Sequence, residues 1–147
     1  MCVQGLEQTG ERFIVADSDT IIDGAKRLVW LKKDTWQMAG KWMAQRQVIE
    51  FAGSLNRKRF AGFSNWRLPT TVEAKSLFDK KQKNSDHMGK VIYLSDLFDP
   101  GCGLTCWTKT LNKSDKGLVI RFHFYNGDYK WHTIGLRSHG VRAVRNP

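Results

Sequence analysis

Two periods of apolar residues run along this chain, and where one gives way to the other its elements can be placed. Between residues 44 and 56, Val48, Phe51, Ala52 and Leu55 recur at helical spacing, which predicts a helix with one face in the core. A second helix is predicted to start at Thr70, because Pro69 bars helix from the residue before it. Thr70 and Glu73 match the Ser/Thr-x-x-Glu capping pattern, and Ala74, Leu77 and Phe78 supply an apolar side. The segment WQMAGKWMAQ, with Trp36 and Trp42, fits neither period, so the start of the first helix is left open.

Period-two and β-branched stretches predict strands over residues 12–16, 20–22, 27–31, 91–94 and 141–144. A terminal hairpin, 118–125 with 129–134, flanks Asn126-Gly127, a pair suited to a tight turn. Alternation puts Leu118, Ile120, Phe122 and Phe124 on a core face and Val119, Arg121, His123 and Tyr125 on the other. Either Lys130 and His132 or Tyr129 and Trp131 share that second face, depending on register. Residues 80–90 (KKQKNSDHMGK) read as a polar loop, and 97–106 as a run of turns.

At 147 residues the chain has the size of one domain, and 41% hydrophobic residues with six tryptophans mark it as globular. No apolar run is long enough to span a bilayer. The opening MCVQGLEQTGER lacks a basic start and an apolar stretch. That predicts a cytoplasmic chain if Met1 is the natural start, and an extracellular or cell-surface one if an export signal has been removed. Charge changes the picture most: 24 Lys and Arg against 14 Asp and Glu give +10. Residues 1–40 carry five basic and six acidic groups, 41–90 eleven and four, and 91–147 eight and four. Such an excess favours encounter with polyanions, and equally serves as a solvated surface.

Three cysteines, Cys2, Cys102 and Cys106, exclude a complete disulfide framework. Asp17, Asp19 and Asp23 lack the ligand order of a calcium loop and read as turn formers. Arg57-Lys58-Arg59 sits where positive charge suits a helix C-terminus.

The stretch Gly62-Phe63-Ser64-Asn65-Trp66-Arg67-Leu68-Pro69-Thr70 resembles the "GYSDWRLPT" signature of the Lcl-C family, the C-terminal domain of collagen-like adhesins. Residues 13–30, ending at Trp30, resemble its opening segment, Trp107 with the residues after it its "YYWTST" strand, and Val141 to Arg145, with Arg142, its closing "VRCVR". The resemblance spans roughly residues 12 to 145 and implies a single domain. It implies an α+β, C-type-lectin-like fold with two helices packed on a twisted, mainly antiparallel sheet and long late loops. It also implies that Trp30, Gly62, Trp66, Arg67, Leu68, Pro69, Thr70, Glu73, Trp107, Arg142 and Arg145 are structural, with Arg67 locking its loop through carbonyls or a carboxylate. Where the family often pairs two cysteines, this chain has Phe51-Ala52 and Ala143, as suits a reducing compartment.

The adhesin members of that family imply a non-catalytic binding module for an anionic ligand, a sulfated or acidic glycan. Lys109, Arg121, Lys130 and Arg137 would supply charge-assisted bonds, Tyr129, Trp131 and Trp107 stacking surfaces, and His123 and His132 further contacts. A protein partner displayed against variable loops is the alternative, and nucleic acid a second one that rests on charge alone. The wider lectin-like superfamily includes formylglycine-generating oxidases that hold copper on a cysteine pair, and Cys102 and Cys106 are four apart. The surrounding oxidase motifs are missing, as are nucleophile-and-base and phosphate-loop motifs. The expectation is therefore no enzyme, no cofactor and no metal.

Overall fold

Three short strands open the described part of the protein, residues 11–147 of a computed structural model. Strands β1 (Phe13–Val15), β2 (Thr20–Asp23) and β3 (Leu28–Leu31) form an antiparallel meander, and β9 (Val144–Arg145) pairs with the free edge of β3. The beginning and end of the domain thus share one sheet. Asp17 turns the chain between β1 and β2 by accepting from the amides of Asp19 and Thr20, each at 2.8 Å. Asp23 is fully buried and paired with Arg12 at 2.8 Å. These aspartates act as turn formers and ion-pair partners.

Helix α1 (Thr35–Ala39) occupies the segment that neither apolar period resolves. Its basis is local: Asp34 and Gln37 form a reciprocal capping box, and Gly40, at φ 70°, ends the helix. With five residues it is too short to show a period, and Trp36 instead stacks on Trp42 at 4.3 Å. Helix α2 (Gln45–Arg57) follows the expected span within a residue and buries Val48, Ala52 and Leu55. Phe51 is half-buried and packs against both apolar clusters. Helix α3 (Thr71–Ser76) has the Thr70–Glu73 capping box that its sequence predicts.

The expected single sheet is replaced by three antiparallel ones. Residues 80–90 are not wholly loop, because β4 (Asn84–Ser85) pairs with β5 (Val91–Ile92). The Asp86 carboxylate closes the connection by accepting from the Met88 and Lys90 amides, a polar device with no hydrophobic pattern. The third sheet is β6 (Thr105–Leu111), β7 (Leu118–His123) and β8 (Tyr129–Thr133) in that order. The last strand, β9, closes the first sheet rather than this one.

The hairpin between β7 and β8 is wider than Asn126-Gly127 alone predicts. The His123 amide donates to Asp128 O at 2.8 Å, so four residues, 124–127, form the loop. Gly127 has φ 77°, while Asn126 is not in the left-handed region. Phe124 explains the change: it is 4% exposed, its amide bonds to Leu104 O and its carbonyl to the Tyr93 amide. Those long-range bonds override the local turn preference.

The strict two-face reading of β7 also fails. Val119 is completely buried and Arg121 is 8% exposed, although both lie on the face expected to meet solvent. Strand β7 is the middle strand, with α3 and Phe78 against one face and the 139–141 segment near the other, so both faces are largely covered.

The signature residues around Trp66 and Glu73 form a hydrogen-bonded corner, whereas Trp30 Nε1 and Arg145 Nε are buried without a hydrogen-bond partner. Trp66 is 3% exposed, and its indole donates to Phe60 O at 2.9 Å. The Asn56 side chain bridges both backbone groups of Trp66, at 2.7 and 2.9 Å. Arg67 binds both oxygens of Glu73, at 2.8 and 2.9 Å, and also Leu68 O. Leu68 and Pro69 are buried, and Gly62 takes φ 89°. Trp30 and Trp107 are fully buried. Arg142 binds the carbonyls of Leu31 and Lys32, and the Arg145 guanidinium lies over the Phe63 ring. No helix among the described residues is long and apolar enough to cross a membrane.

Candidate functional site

The register of the third sheet decides which hairpin side chains act together. Arg121 stands opposite Lys130, Val119 opposite His132, Ile120 opposite Trp131 and Phe122 opposite Tyr129. Directly opposed residues share a face, so Arg121, His123, Lys130 and His132 lie on one side and Tyr129 and Trp131 on the other. Of the two alternatives that the sequence leaves open, the register selects Lys130 and His132 as the partners of Arg121 and His123. Tyr129 and Trp131 are 52% and 44% exposed, with the Lys75 ammonium 5.9 Å from the Tyr129 ring. Lys109 is exposed in β6 near a slip in the ladder, and Arg137 is exposed in the connection from β8 to β9.

Arg121 is not the free surface charge that its strand position predicts. It donates through Nη2 and Nε to His132 Nε2, at 3.0 and 3.3 Å. Burial and the neighbouring Arg121 and Lys130 charges hold the His132 imidazole below its ordinary pKa. His123 is lowered too, by burial first and then by Arg121, Lys90 and Lys130, against the opposing charge of Asp128. Over the same face comes His139, 8% exposed, with Nδ1 bonded to Thr105 Oγ1 and its ring 5.3 Å from that of His132. Burial depresses the His139 pKa to about 4, and the charges of His132, Arg121 and His123 add to the shift.

Beside this face lies an open groove of about 480 Å³ lined by Lys80, Lys83, Tyr93, Tyr125 and Asn126. Tyr93 and Tyr125 stack at 6.0 Å and 29°, and the Lys90 ammonium sits 4.3 Å from the Tyr125 ring. The groove is held by the bonds from Asp79 N to Tyr93 O and from Tyr93 N to Phe124 O, which join the end of α3, β5 and the hairpin loop. Two other hollows of similar volume differ in charge: one carries Glu50, the other Glu11, Asp79 and Asp96. No carboxylate lines the lysine and tyrosine groove. It joins the hairpin face through His123, whose Nδ1 accepts from the Tyr125 amide at 3.2 Å.

None of the groove residues was singled out as a site by sequence. The available signal was the lysine run at 80–83 within a loop; the two tyrosines, 32 positions apart, meet only through tertiary contacts.

The cysteine pair lies in the interior. Cys102 and Cys106 are free, buried thiols, and burial pushes their pKa values up to about 11 and about 12. Among the described residues, no three His, Cys, Asp or Glu side chains are grouped so as to hold a metal ion. Cys2 lies outside the described residues.

The sequence model of one family, described as the Lcl C-terminal domain, matches residues 19–145. No curated protein matches the chain significantly.

Proposed function

The chain belongs to the Lcl C-terminal domain family, and from that premise we propose that it is a non-catalytic binding module for a sulfated or otherwise acidic glycan. In this reading the domain is C-type-lectin-like, and its ligand lies along the groove between Lys80, Lys83, Tyr93 and Tyr125. The observation that carries the proposal is the groove's composition: two lysines and a stacked tyrosine pair, with a third lysine on one ring and no lining carboxylate. Ammonium groups bind sulfate or carboxylate, and tyrosine rings offer flat apolar faces to sugar rings.

Retention on immobilised heparin, with single-stranded DNA and a neutral polysaccharide as parallel columns, tests this. Lys80→Glu with Lys83→Glu lowers heparin affinity by about tenfold or more at physiological salt, corresponding to about 1.4 kcal/mol, and leaves the melting temperature unchanged. Unaltered retention removes the groove from consideration. Equal binding to heparin and DNA, lost together as salt rises, reduces the interaction to charge alone.

A further inference from the structure

Among the described residues three arginines are buried, Arg121, Arg142 and Arg145, and none is paired with a carboxylate; Arg121 differs from the other two in that its acceptor is an imidazole and not a backbone carbonyl. Arg121 is 8% exposed, yet among the described residues no carboxylate lies within ion-pairing distance of it. Its acceptor is a neutral imidazole nitrogen, His132 Nε2. By contrast Arg67 and Arg12 have carboxylates, and Arg142 has two carbonyls. A buried charge without a counter-ion is costly and calls for a partner.

A second observation points to the same place. His139 Nε2 is buried and has no hydrogen-bond partner, while Nδ1 is occupied by Thr105 Oγ1. The charged or titratable groups that act on His132 and His139 are Arg121 and His123 from β7 and Lys130 from β8, while Lys90 from the β4–β5 connection and Asp128 from the hairpin loop act on the neighbouring His123. Four permanent or titratable cations and one carboxylate leave a positive field over this face.

We propose that this face is a binding site for one small oxyanion, a sulfate, phosphate or carboxylate group, held by Arg121 together with His132 and His139. Anion binding takes up a proton from solvent at His132. Its Nε2 then changes from acceptor to donor, so Arg121 and His132 turn from each other toward the anion oxygens. His139, protonated in the same way, offers Nε2–H. No bond is made or broken apart from proton transfer to the imidazoles. The site lies on the sheet face, apart from the lysine and tyrosine groove, and does not depend on glycan binding there.

Imidazole ¹⁵N resonances of the full chain, recorded while sodium sulfate replaces sodium chloride at constant ionic strength, test the proposal at pH 6 and pH 7.5. Sulfate is expected to raise the pKa of His132 by about one unit, to shift His139 as well, and to bind more tightly at the lower pH. Phosphate and acetate titrations assign the anion class. Arg121→Met abolishes the response; if that variant does not fold, the wild-type titration decides alone. Imidazole spectra identical in sulfate and chloride overturn the site. Loss of the response in Lys80→Glu, Lys83→Glu would place the sulfate in the groove and also overturn it, whereas a retained response beside lost heparin binding separates the two sites.

Discussion

The Trp66–Glu73 corner and the Arg121 face both gather arginine and aromatic residues, but they treat charge in opposite ways. At the corner each donor named has an acceptor: Arg67 has Glu73, Leu68 O and the Asn146 side chain, the Trp66 indole has Phe60 O, and Glu73 also takes the Thr70 amide. At the hairpin face, Arg121 leans on a neutral histidine and His139 Nε2 has no partner. Closed hydrogen bonding is what a locked structural element needs, and an open set of donors is what a ligand needs. The difference is that the Trp66–Glu73 corner satisfies its own donors internally, whereas the hairpin face does not.

The largest expected effect sharpens the structural half of this contrast. Trp66→Ala removes a 3%-exposed indole and leaves Phe60 O without its donor in a poorly filled corner, while the Asn56 bonds to the backbone of residue 66 remain. Truncation of a buried aromatic costs about 3–5 kcal/mol, which thermal or denaturant unfolding measures. A melting temperature within a degree of wild type would mean that the corner does not hold the fold.

Next in size is an acid effect that belongs to the open face. His139 has a folded-state pKa of about 4, below its ordinary value of 6.5. The unfolded chain therefore takes up this proton first, and the stability that neutral His139 contributes is complete above about pH 6.5. It is lost progressively as pH falls toward 4, by about 3 kcal/mol in total at roughly 1.4 kcal/mol per unit. Stability measured across that window should decline, with His123 and His132, whose pKa values are also lowered, adding to the slope, and His139→Asn should make the decline shallower. A flat profile in the wild type would show that His139 is not buried neutral.

The corner was legible in the sequence. Of the open face, Arg121, His123, Lys130 and His132 were candidate contacts, whereas their register, the burial of Arg121 and the approach of His139 were not legible. The reasons lie in the range of the interactions. The Thr70–Glu73 cap and the Arg67–Glu73 pair span three and six residues, so a short motif contains them. The apolar face of α2 and the strands β2 and β3 likewise follow from local periodicity. Helix α1 was missed because five residues give no period, and β4 because polar groups build its turn. The burial of Arg121 depends on β7 being covered on both faces, and the lysine and tyrosine groove on Phe124 reaching β5. Register, too, is tertiary information: it alone separates Lys130 and His132 from Tyr129 and Trp131.

The smallest expected effect tests whether the corner's closure is electrostatic as well as geometric. Burial by itself would raise the Glu73 pKa, but the bonds and charge of Arg67 with the Thr70 amide bring it below the ordinary carboxylate value. Glu73 thus stabilises the fold above its unfolded pKa of about 4.5, and that contribution is lost as pH falls through the lower folded value. The pair is partly exposed, at 28% and 20%, so solvent screens it. Glu73→Gln keeps one acceptor for the capping box while removing the charge, and should cost about 1 kcal/mol. Its acid profile separates the two regions: removing the Glu73 charge weakens the pH dependence below about 4.5 and leaves the His139 decline between 6.5 and 4 in place. If instead Glu73→Gln abolished the higher-pH decline, the two regions would titrate as one network, and the contrast between a closed corner and an open face would fail.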